Sequence, residues 1–196
     1  MTPLGDLLVV GLGNPGERYA GTRHNVGADA VLTLAARTDT RLRADTKVSA
    51  LTGPARVGSV RVDLAIPTAY MNESGRAVSQ LVRRHGPVGW DRLLVVHDEL
   101  DLEPGVVKLK SGGGLAGHNG LRSISTHLRT QDFARVRIGV GKPPGGAQHG
   151  ASWVLSKVTG RDREVLRESV QRAADAIEAV ATEGIDAAMA TVNARR

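Results

Sequence analysis

Residues 7–16 read Leu7-Leu8-Val9-Val10-Gly11-Leu12-Gly13-Asn14-Pro15-Gly16. A short, wholly apolar run closed by glycine predicts a strand that is covered on both faces. The loop that follows carries Pro15 and extends to Gly21. Next comes a helical spacing over Val26 to Arg37, with Val26, Ala30, Val31, Leu34 and Ala35 on one face. Leu93-Leu94-Val95-Val96 repeats the opening pattern and runs into His97-Asp98-Glu99.

Working outward, residues 47–66 hold short β-prone runs, of which Val60 to Ile66 alternates as a strand. Glu73 to Arg84 predicts a helix with Ala77, Val78, Leu81 and Val82 inward, stopped by Gly86-Pro87. Val106 to Lys110 predicts a strand. Leu121, Ile124, Ser125 and Leu128 mark one face of a helix. Arg135 to Val140 alternates, with Val136, Ile138 and Val140 on one side and Arg135 and Arg137 on the other. A long helix is expected over Arg161 to Thr182, ended by Gly184 and followed by a short one. Strands alternating with helices imply an α/β fold. Some strands follow one another directly, so the expectation is a single domain over residues 1–196: a twisted mixed sheet flanked by helices on both faces.

The chain has 196 residues, enough for one domain with a real core. It contains no cysteine, which excludes disulfides, thiolate catalysis and cysteine-ligated zinc. Its apolar runs are too short to span a bilayer, and Met1 to Asp6 lack the basic start and apolar stretch of a secretory signal. A cytoplasmic location without membrane association is therefore expected. The formal net charge is +6 and the sequence pI about 10.3. Such a balance points to a polyanionic partner, nucleic acid first, although a merely basic protein has the same composition. The aromatics are Tyr19, Tyr70, Trp90, Phe133 and Trp153. So few argue against an aromatic-studded RNA-binding sheet and for recognition through phosphates and shape.

Glycine accounts for 24 residues, and the excess clusters in Gly11–Gly16, in Met71-Asn72-Glu73-Ser74-Gly75 and in Gly112–Gly120. Asn14, Asn25, Asn72 and Asn119 lie in or beside these segments. An amide side chain offers two donors and an acceptor without charge, which suits a ligand made of amides and hydroxyls. Turn geometry alone also favours asparagine. Gly11–Gly16 matches G-x-G-x-x-G, the signal of a dinucleotide-binding oxidoreductase, but Pro15, Gly16 and Gly21 interrupt the stretch where its helix should begin. His24 and His118 sit in glycine loops, whereas His85 and His127 fall on helices among charges. Histidine suits general-base work near neutrality. An aspartate at a strand end, such as Asp98, can hold a histidine in its basic tautomer. A metal site built from His97, Asp98, Glu99 and Asp101 is a competing reading, without the spacing of a metal motif.

Gly11-Leu12-Gly13-Asn14-Pro15-Gly16, Tyr19, Thr22-Arg23-His24-Asn25 and Gly27 together resemble the opening signature of bacterial peptidyl-tRNA hydrolases. Pro67-Thr68, Tyr70-Met71-Asn72, Ser74-Gly75, His97-Asp98-Glu99-Leu100-Asp101-Leu102, Pro104-Gly105, Gly112-Gly113-Gly114 and Gly117-His118-Asn119-Gly120-Leu121 continue the likeness, from about residue 6 to 193. Lys108, Lys110, Arg135, Arg137 and Ile138-Gly139 also follow it. Ala69 stands where relatives often have threonine or serine, and Ala116 where many have glycine.

The resemblance implies an enzyme that hydrolyses the ester joining a peptide, or an N-blocked aminoacyl group, to tRNA. It implies His24 as catalytic base, Asp98 as the group keeping His24 proton-accepting, and Asn14 as the position that separates N-blocked from free aminoacyl-tRNA. Tyr19, Tyr70, Asn72 and Asn119 are implied to bind substrate, with Met71 and His118 as further contacts. It also implies a cytoplasmic monomer needing no metal or cofactor. Lys108, Lys110, Arg137 and Lys142 are candidates for clamping tRNA phosphates. The alternatives are a non-hydrolytic RNA-binding protein on the same scaffold and, third, the nicotinamide enzyme.

Overall fold

The computed structural model describes residues 6–86 and 89–195. One sheet contains β1 (Leu7–Gly11), β2 (Arg43–Asp45), β3 (Ala50–Val57), β4 (Val60–Pro67), β5 (Leu93–Glu99), β6 (Val107–Ser111) and β7 (Ala134–Gly139). Their spatial order is β2-β3-β4-β1-β5-β7-β6. The central strands β4, β1, β5 and β7 pair in parallel, and antiparallel strands complete both sides, so the sheet is mixed.

The helices are α1 (Val26–Arg37), α2 (Ser74–His85), α3 (Asn119–Leu128), α4 (Gly150–Val154), α5 (Gly160–Glu183) and α6 (Ile185–Val192). Alternate residues of β1 enter different cores, because successive side chains of a strand point to opposite faces. Leu7 and Val9 join Leu94, Val96, Val136 and Ile138 beneath α1, α5 and α6. Leu8 and Val10 join Leu93 and Val95 beneath α2 and α3. Burial on both sides is why these strands read as continuous apolar runs. Layers of helices thus cover both faces, as expected.

Three details differ from expectation. The helix foreseen from Glu73 begins at Ser74, because Met71–Glu73 forms a tighter 3₁₀ turn. It ends at His85, and Gly86 follows with φ 91°; Pro87 lies outside the described residues. Strand β2 and helix α4 leave no signal in the sequence, since segments of three and five residues are too short to display a period. Among the described residues, no helix is long and apolar enough to cross a membrane.

The parallel strands deliver their loops to one edge of the sheet. Asn14 to His24 follow β1, Tyr70 to Asn72 follow β4, and Asp98 lies near the end of β5. In open α/β sheets, ligands bind in the crevice beyond these carboxyl ends.

Candidate active site

His24 belongs to the 3₁₀ turn Arg23–Asn25, directly before α1. Close approach of α1 to β5 sets its position. The Leu12 N–H donates to Val96 O at 3.0 Å, and the Ala28 N–H donates to Leu12 O at 3.0 Å. A Cβ on Gly27 would lie 2.1 Å from Val96 O, so only glycine permits this contact. The G-x-G-x-x-G segment starts no helix, since the first helical turn comes only at Arg23. The geometry of a dinucleotide-binding turn is absent there.

His24 Nδ1 donates to both oxygens of Asp98, at 2.8 and 2.9 Å. His118 Nε2 donates to Asp98 Oδ1 at 2.8 Å. The ring assignments follow from the network. His118 Nδ1 accepts the N–H groups of Gly120 and Leu121 at 3.1 and 3.3 Å, which leaves its proton on Nε2. Burial alone pushes the Asp98 carboxyl up, but attraction and hydrogen bonds from His118 and His24 outweigh it and hold the group well below the usual carboxylate range. An ionised Asp98 can only accept, so a proton of His24 sits on Nδ1, and in the neutral ring it is Nε2 that carries the lone pair.

Asp98, His24, His118 and Asn119 line a cleft of about 300 Å³, closed on its far side by Gly150, Ala151 and Val154 of α4. Ala116, also on this lining, adopts φ 50°. That left-handed conformation costs alanine about 1–2 kcal/mol relative to glycine, which explains physically why glycine suits this position.

Asn14 is held on two sides. Its main chain is clasped by the Asn25 side chain, through Asn14 N–H to Asn25 Oδ1 at 2.8 Å and Asn25 Nδ2 to Asn14 O at 3.0 Å. Its own Oδ1 accepts the Met71 N–H at 2.8 Å. The amide nitrogen of Asn14 therefore remains available as a donor. Met71 is buried, and a Cβ on Gly120 would come within 2.5 Å of its sulfur and 3.1 Å of His118 Cε1. Met71 thus packs between the first and third glycine segments instead of lying open. Tyr19 and Tyr70 form an edge-to-face pair with ring centroids 6.3 Å apart, and Tyr70 is 55% exposed. Asn72 and Asn119 are exposed.

The four expected phosphate contacts do not form one patch of free cations. Lys108 Nζ donates to the main-chain carbonyls of Asn193 and Arg195, so it ties down the C-terminal segment. Arg137 Nε donates to Glu99 Oε2 at 3.1 Å, and Lys142 lies 3.2 Å from Asp101. Lys110 has no ion-pair partner among the described residues.

The residues of the competing metal reading point apart. His97 Nδ1 donates to Asp98 O at 2.7 Å, while Glu99 and Asp101 engage Arg137 and Lys142. Burial, then the neighbouring His118, hold the His97 imidazole well below its ordinary range, so it is neutral. Among the described residues, His24, Asp98 and His118 bring donor atoms within 4.8 Å of one another, close enough for a metal ion. The same atoms are already joined by the hydrogen bonds above, so the network is complete without one.

Two residues have supporting roles that the sequence does not reveal. Asn25, one of the clustered asparagines, clasps the Asn14 main chain. Arg135 is 1% exposed and donates to Gly112 O at 2.6 Å and Gly114 O at 3.0 Å, holding the glycine loop that leads to His118. Strand alternation placed it opposite the valines but could not show that a loop covers that side.

A family model described as "Peptidyl-tRNA hydrolase" matches residues 8–196. A peptidyl-tRNA hydrolase of Cutibacterium acnes is 49% identical over 196 residues, covering 95% of this chain and 97% of the relative. One from Mycolicibacterium gilvum is 46% identical over 188 residues, covering 96% and 97%. The crystal structure of the peptidyl-tRNA hydrolase of Acinetobacter baumannii superposes with a TM-score of 0.90 at 36% identity, covering 96% of this chain and 95% of that one.

Proposed function

Because the chain belongs to the peptidyl-tRNA hydrolase family, we propose that His24 is the general base of its reaction and Asp98 the group that orients it. The enzyme hydrolyses peptidyl-tRNA. The observation that carries the assignment of roles is the contact of His24 Nδ1 with both Asp98 oxygens.

The chemistry follows from that tautomer. Nε2 of His24 takes a proton from water, and the resulting hydroxide attacks the ester carbonyl carbon. The tetrahedral intermediate expels the tRNA hydroxyl oxygen, which recovers the proton from the imidazolium, leaving a free peptide acid and intact tRNA. Asp98 stabilises the transient imidazolium. An ester is easily cleaved, so a base and a positioned water suffice. The Asn14 amide nitrogen, or Asn72, donates to the carbonyl as negative charge develops. Exposed Asn72 and Asn119 pair with peptide main chain, which accommodates any peptide sequence. Tyr19 and Tyr70 offer apolar surface at the rim.

Arg137, Lys142 and Lys110 approach tRNA phosphates; exposed ion pairs such as Lys142 with Asp101 are weak and exchange readily for a phosphate. Lys108, occupied by main-chain carbonyls, serves the fold. The reading includes a cytoplasmic, monomeric enzyme acting without metal. Its test is release of tRNA from N-acetylated and unacetylated aminoacyl-tRNA with EDTA present. Cleavage confined to the N-acetylated substrate supports it. Equal cleavage of both, or loss of activity in EDTA, contradicts it.

A further inference from the structure

We propose that Arg23 is a positioning residue for His24, acting through a stack on Trp153 that fastens the turn bearing the base to the opposite wall of the cleft. The proposal rests on the reading of His24 as the base.

The Arg23 side chain is only 8% exposed, and a buried guanidinium needs partners for its charge and its N–H groups. Its central carbon lies 3.4 Å from the Trp153 ring centroid, well inside cation–π range. Nη1 donates to Ser156 Oγ at 2.7 Å. The remaining ion pair, to Asp162 at 3.9 Å, is long and its carboxylate is exposed, so it adds little.

Trp153 is itself fixed. Its Nε1 donates to Gly141 O at 3.0 Å and Val140 O at 3.3 Å. The Val140 N–H in turn donates to Glu99 O at 3.1 Å, next to Asp98. The contacts form a closed circuit: Asp98 and Glu99 on β5, Val140, Trp153, Arg23, His24, and back to Asp98. Trp153 lies on α4, whose Gly150, Ala151 and Val154 form the far wall. One side chain next to the base thus links the turn that carries the imidazole to the helix that forms the facing wall. The turn has other tethers, including the Val158 N–H to Gly21 O bond at 3.0 Å. Loss of the stack should therefore loosen the imidazole without unfolding the segment. Arginine is required because its plane covers the indole while its edge donates to Ser156, a combination that lysine lacks.

The experiment measures kcat and KM on N-acetylaminoacyl-tRNA alongside the exchange-protected imidazole N–H resonance of His24 in ¹⁵N-histidine-labelled protein. That resonance is assigned by its absence in His24→Ala. Arg23→Met should lower kcat by about 10–100-fold, change KM little, and shift or broaden the resonance. Arg23→Lys should restore part of both. Ile177→Val, a core change on α5, should lower stability and move neither readout. Wild-type kcat in folded Arg23→Met overturns the proposal, as does a lost kcat with an unmoved resonance. Should Arg23→Met fail to fold, Trp153→Phe decides by the same two criteria with a smaller effect. Turnover retained in His24→Ala would instead remove the base assignment itself, whatever Arg23 does.

Discussion

Nδ1 of His24 meets both carboxylate oxygens of Asp98 across 74 positions of sequence, while the same carboxylate receives a second imidazole from His118. A buried carboxylate that accepts two imidazole N–H groups is held as an anion, and an anion there fixes which nitrogen of His24 is basic.

Replacing Asp98 with asparagine tests that dependence. The amide keeps the volume but presents a donor where only an acceptor serves, and it favours the wrong tautomer of His24. The expected fall in kcat is about 10²–10⁴, with the thermal transition still cooperative. A folded Asp98→Asn enzyme of wild-type activity would mean the aspartate does not set the tautomer.

His118 was expected to touch substrate; it lines the cleft, and its Nε2 donates to Asp98. Removing a hydrogen bond to a charged group is worth about 1.5–3 kcal/mol. His118→Ala should accordingly lose about 10–100-fold in kcat, with a smaller effect on KM. Steady-state kinetics on N-acetylaminoacyl-tRNA read this directly; a defect confined to KM would leave His118 with the role of substrate contact alone.

Much of the fold was legible because its signals are periodic. The runs Leu7–Val10 and Leu93–Val96 announced buried parallel strands, and Val26, Ala30, Val31, Leu34 and Ala35 announced α1. α4 was not legible, since Gly150–Val154 spans little more than one turn. In the site, His24, Asp98 and Asn14 could be named from residue type and resemblance, but the meeting of His24 with Asp98 depends on strand order, a long-range property. Arg135 and Lys108 look alike in sequence as alternating strand cations. Only the path of the Gly112–Gly114 loop and of the C-terminal segment shows that both serve the fold.

Gly27 tests how tightly the site depends on close packing. Gly27→Ala drives a methyl carbon into Val96 O, which must push α1 away from β5 and draw His24 off Asp98. The expected results are destabilisation by about 1–3 kcal/mol and a fall in kcat larger than that of an equally destabilised core variant. Parallel urea melts and kinetics on both variants check it.

Asn14 can donate through its amide nitrogen, since its oxygen is already used by the Met71 N–H. Asn14→Asp preserves that acceptor and removes the donor. Preference for N-acetylated over free aminoacyl-tRNA should fall by about tenfold or more, measured as the ratio of kcat/KM values. An unchanged ratio would dismiss the residue as a selectivity determinant.

Asp29, outside the catalytic cleft, supplies a test of pH-dependent stability. Burial raises its pKa from 3.8 to about 6. The folded state holds this proton more tightly than the unfolded chain, so the associated stability is complete below pH 3.8 and is lost as pH rises through about 6. Part of the side chain meets solvent, so the cost near neutrality is about 2 kcal/mol. Asp29→Asn should raise Tm by a few degrees at about pH 7.5 and give no gain at about pH 3.5. Calorimetry at the two pH values would contradict this if the gain were equal at both.

Whether one imidazole activates the water is measured most directly by single-turnover hydrolysis of N-acetylaminoacyl-tRNA by His24→Ala, at enzyme concentrations that saturate binding. Unaltered tRNA affinity with a rate lower by about 10²–10⁴ is the predicted result; a rate within a few-fold of wild type would contradict it.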